Sequence, residues 1–591
     1  MKGFLKYVLA TVVGILLYSL VSSFIFLGVM GVIASASKSK SVEVKPNTIL
    51  MLKLDKQIVD RSSENPFENF DLGTMQSETP IGLNNILKNI EKAKKDENIV
   101  GIYMDLKYIP AGLATLEEIR NSLIDFKESG KFIYTYSEII TQPSYYLASV
   151  SDSIFMNPIG DIEIRGFRSN IAFLKGALEK LGVEPVIFRH GKFKSAVEPF
   201  MYDKMSDDNK EQTMTFVGSI WDHVVKGISA EREISKEGIN QLADNLTIRN
   251  SKSAVANNII DGLFYKDEMI DFLVERTGAE SAEKLEVVKL GKYNNVSIEK
   301  KRRKRDKREK IAIVYASGSI GMGKGEGGNI GSETTSKAIR KARKDSTIKA
   351  IVFRVNSPGG GVLASDIIWR EVVLAQKAKP FIVSMGDYAA SGGYYIACPA
   401  DTIVASPTTL TGSIGVFALM MNTQKLMNDK LGITFDGVKT NKYADIGNSN
   451  RKMTEAEKEI IQSSVEDVYT DFITHVSEGR GITTEAVDAI GQGRIWSGIN
   501  AKNNGLVDVY GGLNTAVRIA AEKAGLEDYK IVDLPKIPDP FEELIKGLTG
   551  GAKVALLKRE LGESYRIYEK LETLQNMEGV QARMPFEVEI Y

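Results

Sequence analysis

The sequence has little of what most hydrolytic and metal sites are built from. Its 591 residues contain one cysteine, Cys398, so no intramolecular disulfide can form and no multi-thiolate metal site fits within one chain. The three histidines, His190, His223 and His475, stand far apart, and the H-E-x-x-H spacing of zinc hydrolases is missing. Net charge is missing as well. Lys plus Arg and Asp plus Glu both number 76, which removes the electrostatic case for a nucleic-acid partner. What remains is a globular composition, 43% hydrophobic and 26% charged. The chain is too long for one ordinary core, so two or more domains are expected.

Charge is also absent locally. From Tyr7 to Ile33, after Lys2 and Lys6, the chain is uncharged and mostly Val, Leu, Ile and Phe. About 20 apolar residues suffice to cross a hydrocarbon core, so residues 1–46 read as an uncleaved signal anchor with one transmembrane helix. Ala34-Ser35-Ala36 has the small-x-small form of a cleavage site, which makes a cleaved signal peptide the alternative. Cleavable apolar cores usually run only about 7–15 residues. Lys2 and Lys6 favour an inside N-terminus, against Lys38, Lys40 and Lys45 on the other flank. The short tail and the large remainder lean towards a bulk outside the cytoplasm.

An internal repeat decides the architecture. Lys131–Val150 reads KFIYTYSEIITQPSYYLASV and Pro380–Pro399 reads PFIVSMGDYAASGGYYIACP, with Phe132 matching Phe381 at an offset of 381 − 132 = 249. The offset holds without a gap from Ile99 to about Gly166, and one residue later Leu181-Gly182-Val183 matches Leu431-Gly432-Ile433. The division expected is an anchor at 1–46, a first repeat at 47–299, a linker at 300–310, a second repeat at 311–535 and a helical extension at 536–591. The linker, KKRRKRDKREK, looks like a nuclear-localisation or RNA-binding run, but such charge blocks are usually solvated. In the second repeat, strands are expected at Ile311–Tyr315, Ala350–Val355, Phe381–Ser384 and Thr402–Ala405, and helices at about Ala364–Ala378 and Gly392–Cys398. Alternating strands and helices imply βαβ units and a largely parallel sheet, with sites at the strands' carboxyl ends.

Three motifs carry chemistry. Ala389-Ala390-Ser391-Gly392-Gly393 places a serine between an apolar strand and a helix, among residues with almost no side chain. That is the logic of a nucleophile elbow, although the G-x-S-x-G spacing is not met, and a helix N-terminus favours developing negative charge. Small residues before a helix also serve plain close packing. Pro358-Gly359-Gly360-Gly361 leaves backbone N–H groups uncovered, which suits an oxyanion hole. A phosphate-binding loop would need Lys-Ser/Thr after the glycines, and Val362-Leu363 follow instead. No histidine lies near either motif to act as base. Lys194, flanked by Phe193, Ala196, Val197 and Phe200, is the candidate, because burial can lower an ammonium pKa, although composition alone favours a surface lysine.

The repeat links these motifs. The first copy has Gln142 where the second has Ser391, and Pro110-Ala111-Gly112 where the second has Gly359-Gly360-Gly361. Across the shifted register the second copy has Ala444 where the first has Lys194. Complementary loss of this kind fits one shared site.

Taken together, SPGGG, SMGDYAASGGYYIA, SPTTLTGSIGV and GKFKSAVEPF resemble the signal peptide peptidase A family, in its long tandem form called protease IV, over nearly the whole chain to its ending QARMPFEVEIY. The resemblance implies an α/β fold of tandem Clp protease/crotonase-like domains (a ββα superhelix) after the transmembrane helix. It implies Ser391 as nucleophile, Lys194 as general base, Ser413 hydrogen-bonded to the lysine, and the Gly360 and Gly392 amides as the oxyanion hole. No metal or organic cofactor is implied. The partners implied are hydrophobic peptides such as released signal peptides, the membrane bilayer, and copies of the chain in a homo-oligomer, a tetramer by that resemblance. The location implied is the inner membrane of a bacterium. Asp387 and Tyr388 receive no role. A crotonase-like acyl-CoA enzyme would instead need a catalytic Glu or Asp near the glycines. A non-catalytic membrane scaffold is the other alternative.

Overall fold

The structure is a computed structural model that describes residues 2–37, 43–62, 70–71, 76–77, 80–296, 308–325, 328–536 and 579–584. Each repeat is built on a largely parallel sheet, with Ile495–Ser497 an antiparallel edge in the second, and the central strands are buried on both faces, which is why they read as apolar runs. In the first sheet the order is Gly262–Leu263, Ser153–Ile162, Phe132–Ile140, Ile99–Leu106, Thr48–Leu52, Val287–Lys289, all neighbours parallel. In the second it is Ile495–Ser497, Leu410–Gly412, Phe381–Ala390, Ile348–Ser357, Glu309–Ser317, Tyr529–Leu534. Thr402–Ala405 joins it beside Phe381–Ala390. Strands 132–140 and 381–390 thus hold equivalent places, as the offset requires.

The four expected strands are present, Thr402–Ala405 over the expected span and the other three longer. Phe381–Ala390 runs on through Gly386, Ala389 and Ala390 to the serine itself, because Tyr388, Ala389 and Ala390 pair with Leu410–Gly412. The helices observed are Val362–Gln376 and Gly392–Ala397, the first beginning directly after Gly361.

A third sheet belongs to both repeats. Its order is Ile330–Gly331, Ile320–Gly321, Gly359–Gly361, Gln581–Arg583, Phe417–Asn422, Glu184–Arg189. The last two pair antiparallel from Phe417↔Arg189 to Asn422↔Glu184, stitching the second repeat to the first immediately before Lys194. A buried ionic cluster reinforces the junction. Arg354, fully buried, is 2.7 Å from Asp60 and 2.7 Å from Glu118, and it donates to the Ser384 hydroxyl at 2.9 Å.

The expectation of a membrane anchor is corrected. The N-terminal segment is the helix Lys2–Ser37. Among the described residues no helix is long and apolar enough to cross a membrane. The transmembrane helix, the bilayer as a partner and the single-pass inner-membrane location fall with it. Of the basic run, residues 300–307 lie outside the described residues, and Glu309-Lys310 already belong to a strand. Of the extension, 537–578 and 585–591 lie outside them too, while Gln581–Arg583 is a strand.

Candidate active site

Ser391 ends the central strand Phe381–Ala390 and caps the helix Gly392–Ala397, at φ 55° and ψ −116°. A positive φ is rare for a residue with a side chain and is a form of strain found at functional sites. Here it turns the chain sharply enough to aim the hydroxyl across the strand ends. The turn is fixed on both sides. The Ser391 amide donates to the Gly412 carbonyl at 2.8 Å, and the Tyr395 amide donates to the Ser391 carbonyl at 2.8 Å.

Lys194 arrives from the other repeat, in the loop between the strand Glu184–Arg189 and the short turn Ser195–Val197. The Phe193 amide donates to the Gln492 carbonyl at 3.1 Å. Gln212 donates to the Phe193 carbonyl at 3.0 Å and to the Ser195 hydroxyl at 3.0 Å, while its own oxygen accepts from the Ile495 amide at 3.2 Å. The second repeat closes over the lysine with bare backbone: a Cβ on Gly493 would stand 2.6 Å from the Lys194 Cα.

The Lys194 Nζ lies 2.8 Å from Ser391 Oγ, 3.1 Å from Ser413 Oγ and 3.2 Å from the Ser413 carbonyl oxygen. Ser413 is itself held at φ 48°. Lys194, Ser391 and Ser413 are all fully buried. Burial pushes the Lys194 ammonium well below the usual lysine range. A neutral amine has two hydrogens and one lone pair. In that form the hydrogens can go to the two Ser413 acceptors, which frees the lone pair for the Ser391 hydroxyl.

The Gly360 and Gly392 amides stand side by side. A Cβ on Gly392 would be 3.1 Å from the Gly360 nitrogen, and one on Gly359, at φ 102°, would be 2.8 Å from the Gly392 nitrogen. Glycine is required here by space: a Cβ on Gly360 would meet the Ile320 carbonyl at 2.1 Å. Two adjacent N–H groups, a serine and a lysine whose charged form is disfavoured by burial can together accept a proton, form an acyl ester and hold an oxyanion.

All five residues singled out in the sequence therefore meet in one place. Gln142, at the first repeat's elbow, is used structurally: its oxygen accepts from the Gly166 amide at 2.8 Å and its Nε2 donates to the Gly166 carbonyl at 3.0 Å. Ala444 lies exposed in a turn. Sequence reasoning missed the packing glycine Gly493, the strand Gln581–Arg583 that runs along Gly359–Gly361, and Asp387. The Asp387 carboxylate accepts from the Thr115 amide at 2.9 Å and its hydroxyl at 2.7 Å, and burial raises its pKa. It braces the elbow strand against the first repeat. Gln142 and Asp387 carry no motif that would have revealed these partners.

The pattern of Peptidase family S49 matches residues 125–280 and 374–527, one segment in each repeat. Protease 4 of Salmonella typhi is 36% identical over 556 residues, covering 90% of this chain and 88% of its own. Serine protease SPPA, chloroplastic, of Arabidopsis thaliana is 34% identical, covering 92% and 78%, and Protease 4 of Haemophilus influenzae is 33% identical, covering 85% and 84%. A solved ClpP1 mutant from Listeria monocytogenes overlaps 35% of this chain and 94% of its own at 17% identity, with a TM-score of 0.24, too low to bear on the fold.

Proposed function

The chain belongs to peptidase family S49 and is a serine-type endopeptidase, and we propose that it cuts peptide bonds with Ser391 as nucleophile and Lys194 as general base. The repeats at 47–299 and 311–535 then contribute one site between them. Neutral Lys194 takes the proton of Ser391 as its Oγ attacks the substrate carbonyl. The tetrahedral oxyanion rests on the Gly360 and Gly392 amides, where the loss of one donor typically costs about 3 kcal/mol of transition-state stabilisation. Lys194 passes the proton to the leaving amine, and the C–N bond breaks to give an ester on Ser391. Water, deprotonated by Lys194, hydrolyses that ester and restores the serine. Ser413 keeps the lone pair of Lys194 directed at Ser391 by accepting both amine hydrogens.

The observation that carries this reading is the 2.8 Å contact between Lys194 Nζ and Ser391 Oγ across the repeat boundary, with burial disfavouring the charged form of the amine. Replacing Ser391 by Ala is expected to abolish turnover of a fluorogenic peptide while circular dichroism stays native. Wild-type turnover in that variant ends the proposal.

A further inference from the structure

Three consecutive residues of the second repeat, Gln492, Gly493 and Arg494, bridge the loop of Lys194 and the backbone of Ser413. The Gln492 carbonyl accepts from the amide of Phe193, the residue before Lys194, at 3.1 Å. The Arg494 carbonyl accepts from the Ser413 amide at 2.7 Å, and the Gly493 amide donates to the Ile414 carbonyl at 2.7 Å. Packing is close on the lysine side, where a Cβ on Gly191 would stand 2.4 Å from the Gln492 oxygen. The turn is also strained. Gln492 sits at φ 54°, a left-handed conformation that is costly for a residue with a side chain and persists only where its surroundings hold it.

The holder is Tyr469, a buried residue of the helix Glu455–Arg480. Its hydroxyl accepts from the Gln492 amide at 3.1 Å and donates to the Asp488 carboxylate at 2.6 Å. The Gln492 side chain donates to the same carboxylate at 3.1 Å. Burial, with the bond to Asp488, pushes the Tyr469 phenol up, so the hydroxyl keeps the proton it donates. The ring meets the lysine loop as well: His190, four residues before Lys194, stacks on it at 3.7 Å between centroids, and Glu466 pairs with the His190 Nδ1. Tyr469 thus grips both the loop that carries the base and the turn that spaces it from Ser413. The titratable groups around this bracket find partners away from the amine: His190 with Glu466, Asp488 with Tyr469 and Gln492, Glu211 with Arg494, and Glu198 with Ser206 and Asn209.

We propose that Tyr469 is a positioning residue for the general base, its hydroxyl holding the turn 492–494 that fixes Lys194 against Ser413. The inference rests on the dyad reading above. Without that oxygen the Gln492 amide loses its partner, the strained turn relaxes, and the lysine loosens from both serines. A displacement of about 1 Å in a reacting group can cost about 10²-fold in rate. A base packed less tightly is also better hydrated, which returns its pKa towards that of a free lysine.

Tyr469→Phe removes the oxygen and keeps the ring for His190. With a fluorogenic peptide, kcat is expected to fall about 10–100-fold while KM stays within about twofold of wild type. The rise of kcat/KM with pH is expected to move to higher pH, a change that a purely structural role would not produce. Rates are referred to the Ser391 that a fluorophosphonate labels at completion, so that unfolded chains do not count. Tyr145→Phe is the control: it removes a buried hydroxyl that donates to the Ile259 carbonyl at 2.7 Å in the first repeat, and both quantities should stay at wild-type values. Asp488→Asn makes the acceptor of the Tyr469 hydroxyl neutral and should shift both quantities in the same direction as Tyr469→Phe; if the latter does not fold, Asp488→Asn decides alone. A wild-type kcat in these variants overturns the inference and leaves the dyad untouched. So does an equal loss in Tyr145→Phe, or a fall in kcat with the pH profile unmoved. Turnover retained in Ser391→Ala overturns the dyad reading and this inference together.

Discussion

At the scale of the residue, the account turns on the proton of Lys194. Only burial acts on this amine, and it disfavours the charged form. The base is active when neutral, so the rate should climb about tenfold per pH unit below the lowered pKa and level off above it. The plateau should be reached well below pH 10.4, the pKa of a free lysine. A steady-state profile of kcat/KM with a fluorogenic peptide measures this directly, and a rate independent of pH across the neutral range would argue against a lysine base. Ser391 could be singled out in the sequence as a serine among small residues at a strand-to-helix turn, Lys194 by its apolar neighbours and its loss from the second repeat, and Ser413 only through the family resemblance. Asp387 could not. Its partners, the amide and hydroxyl of Thr115, lie 272 positions away in the other repeat.

At the scale of the element, the strand Gly359–Gly361 has two duties: to present amides and to leave room beside them. A methyl group on Gly360 would collide with the backbone of Ile320, at 2.1 Å from its carbonyl oxygen and 2.7 Å from its nitrogen. Backbone cannot swing aside as a side chain can, so the amide must move. Gly360→Ala is therefore expected to lower kcat by about 10²–10³-fold, the effect of losing one oxyanion donor, with KM much less affected. Stopped or steady-state kinetics would show it, and a kcat within twofold of wild type would remove Gly360 from the oxyanion hole. The parallel sheets were legible in the sequence because a strand buried on both faces is a continuous apolar run. Their ends were less so: Gly386, Ala389 and Ala390 look like a turn, yet pairing with Leu410–Gly412 keeps them in the strand. The strand Gln581–Arg583 was invisible for the same reason. Its partners, Gly359–Gly361 and Phe417, are more than 160 positions away, and three residues carry no period to read.

At the scale of the whole molecule, duplication and complementary loss were readable by comparing the chain with itself. How the copies dock was not, because docking is made by long-range pairs that leave no pattern in either segment. Arg354 is the clearest case. It belongs to the second sheet but neutralises Asp60 and Glu118 from the first repeat, fully buried. Replacing it by Met leaves two buried carboxylates without a counter-ion, and removing one partner of such a cluster typically costs about 3–5 kcal/mol. Urea unfolding of Arg354→Met should show a loss of that size. An unchanged midpoint would mean that the cluster does not hold the repeats together. The N-terminal expectation failed at this scale too: an uncharged apolar stretch suggested a span, but the described helix does not supply one. The central claim remains that a base from one repeat activates a nucleophile from the other. It is tested most directly by the rate at which a fluorophosphonate labels Ser391 in the intact chain at pH 8, with and without Lys194→Met. General-base assistance contributes about 10²–10⁴-fold, so labelling of Ser391 should slow by at least about 100-fold in the variant, whereas equal rates in the two proteins would contradict the account.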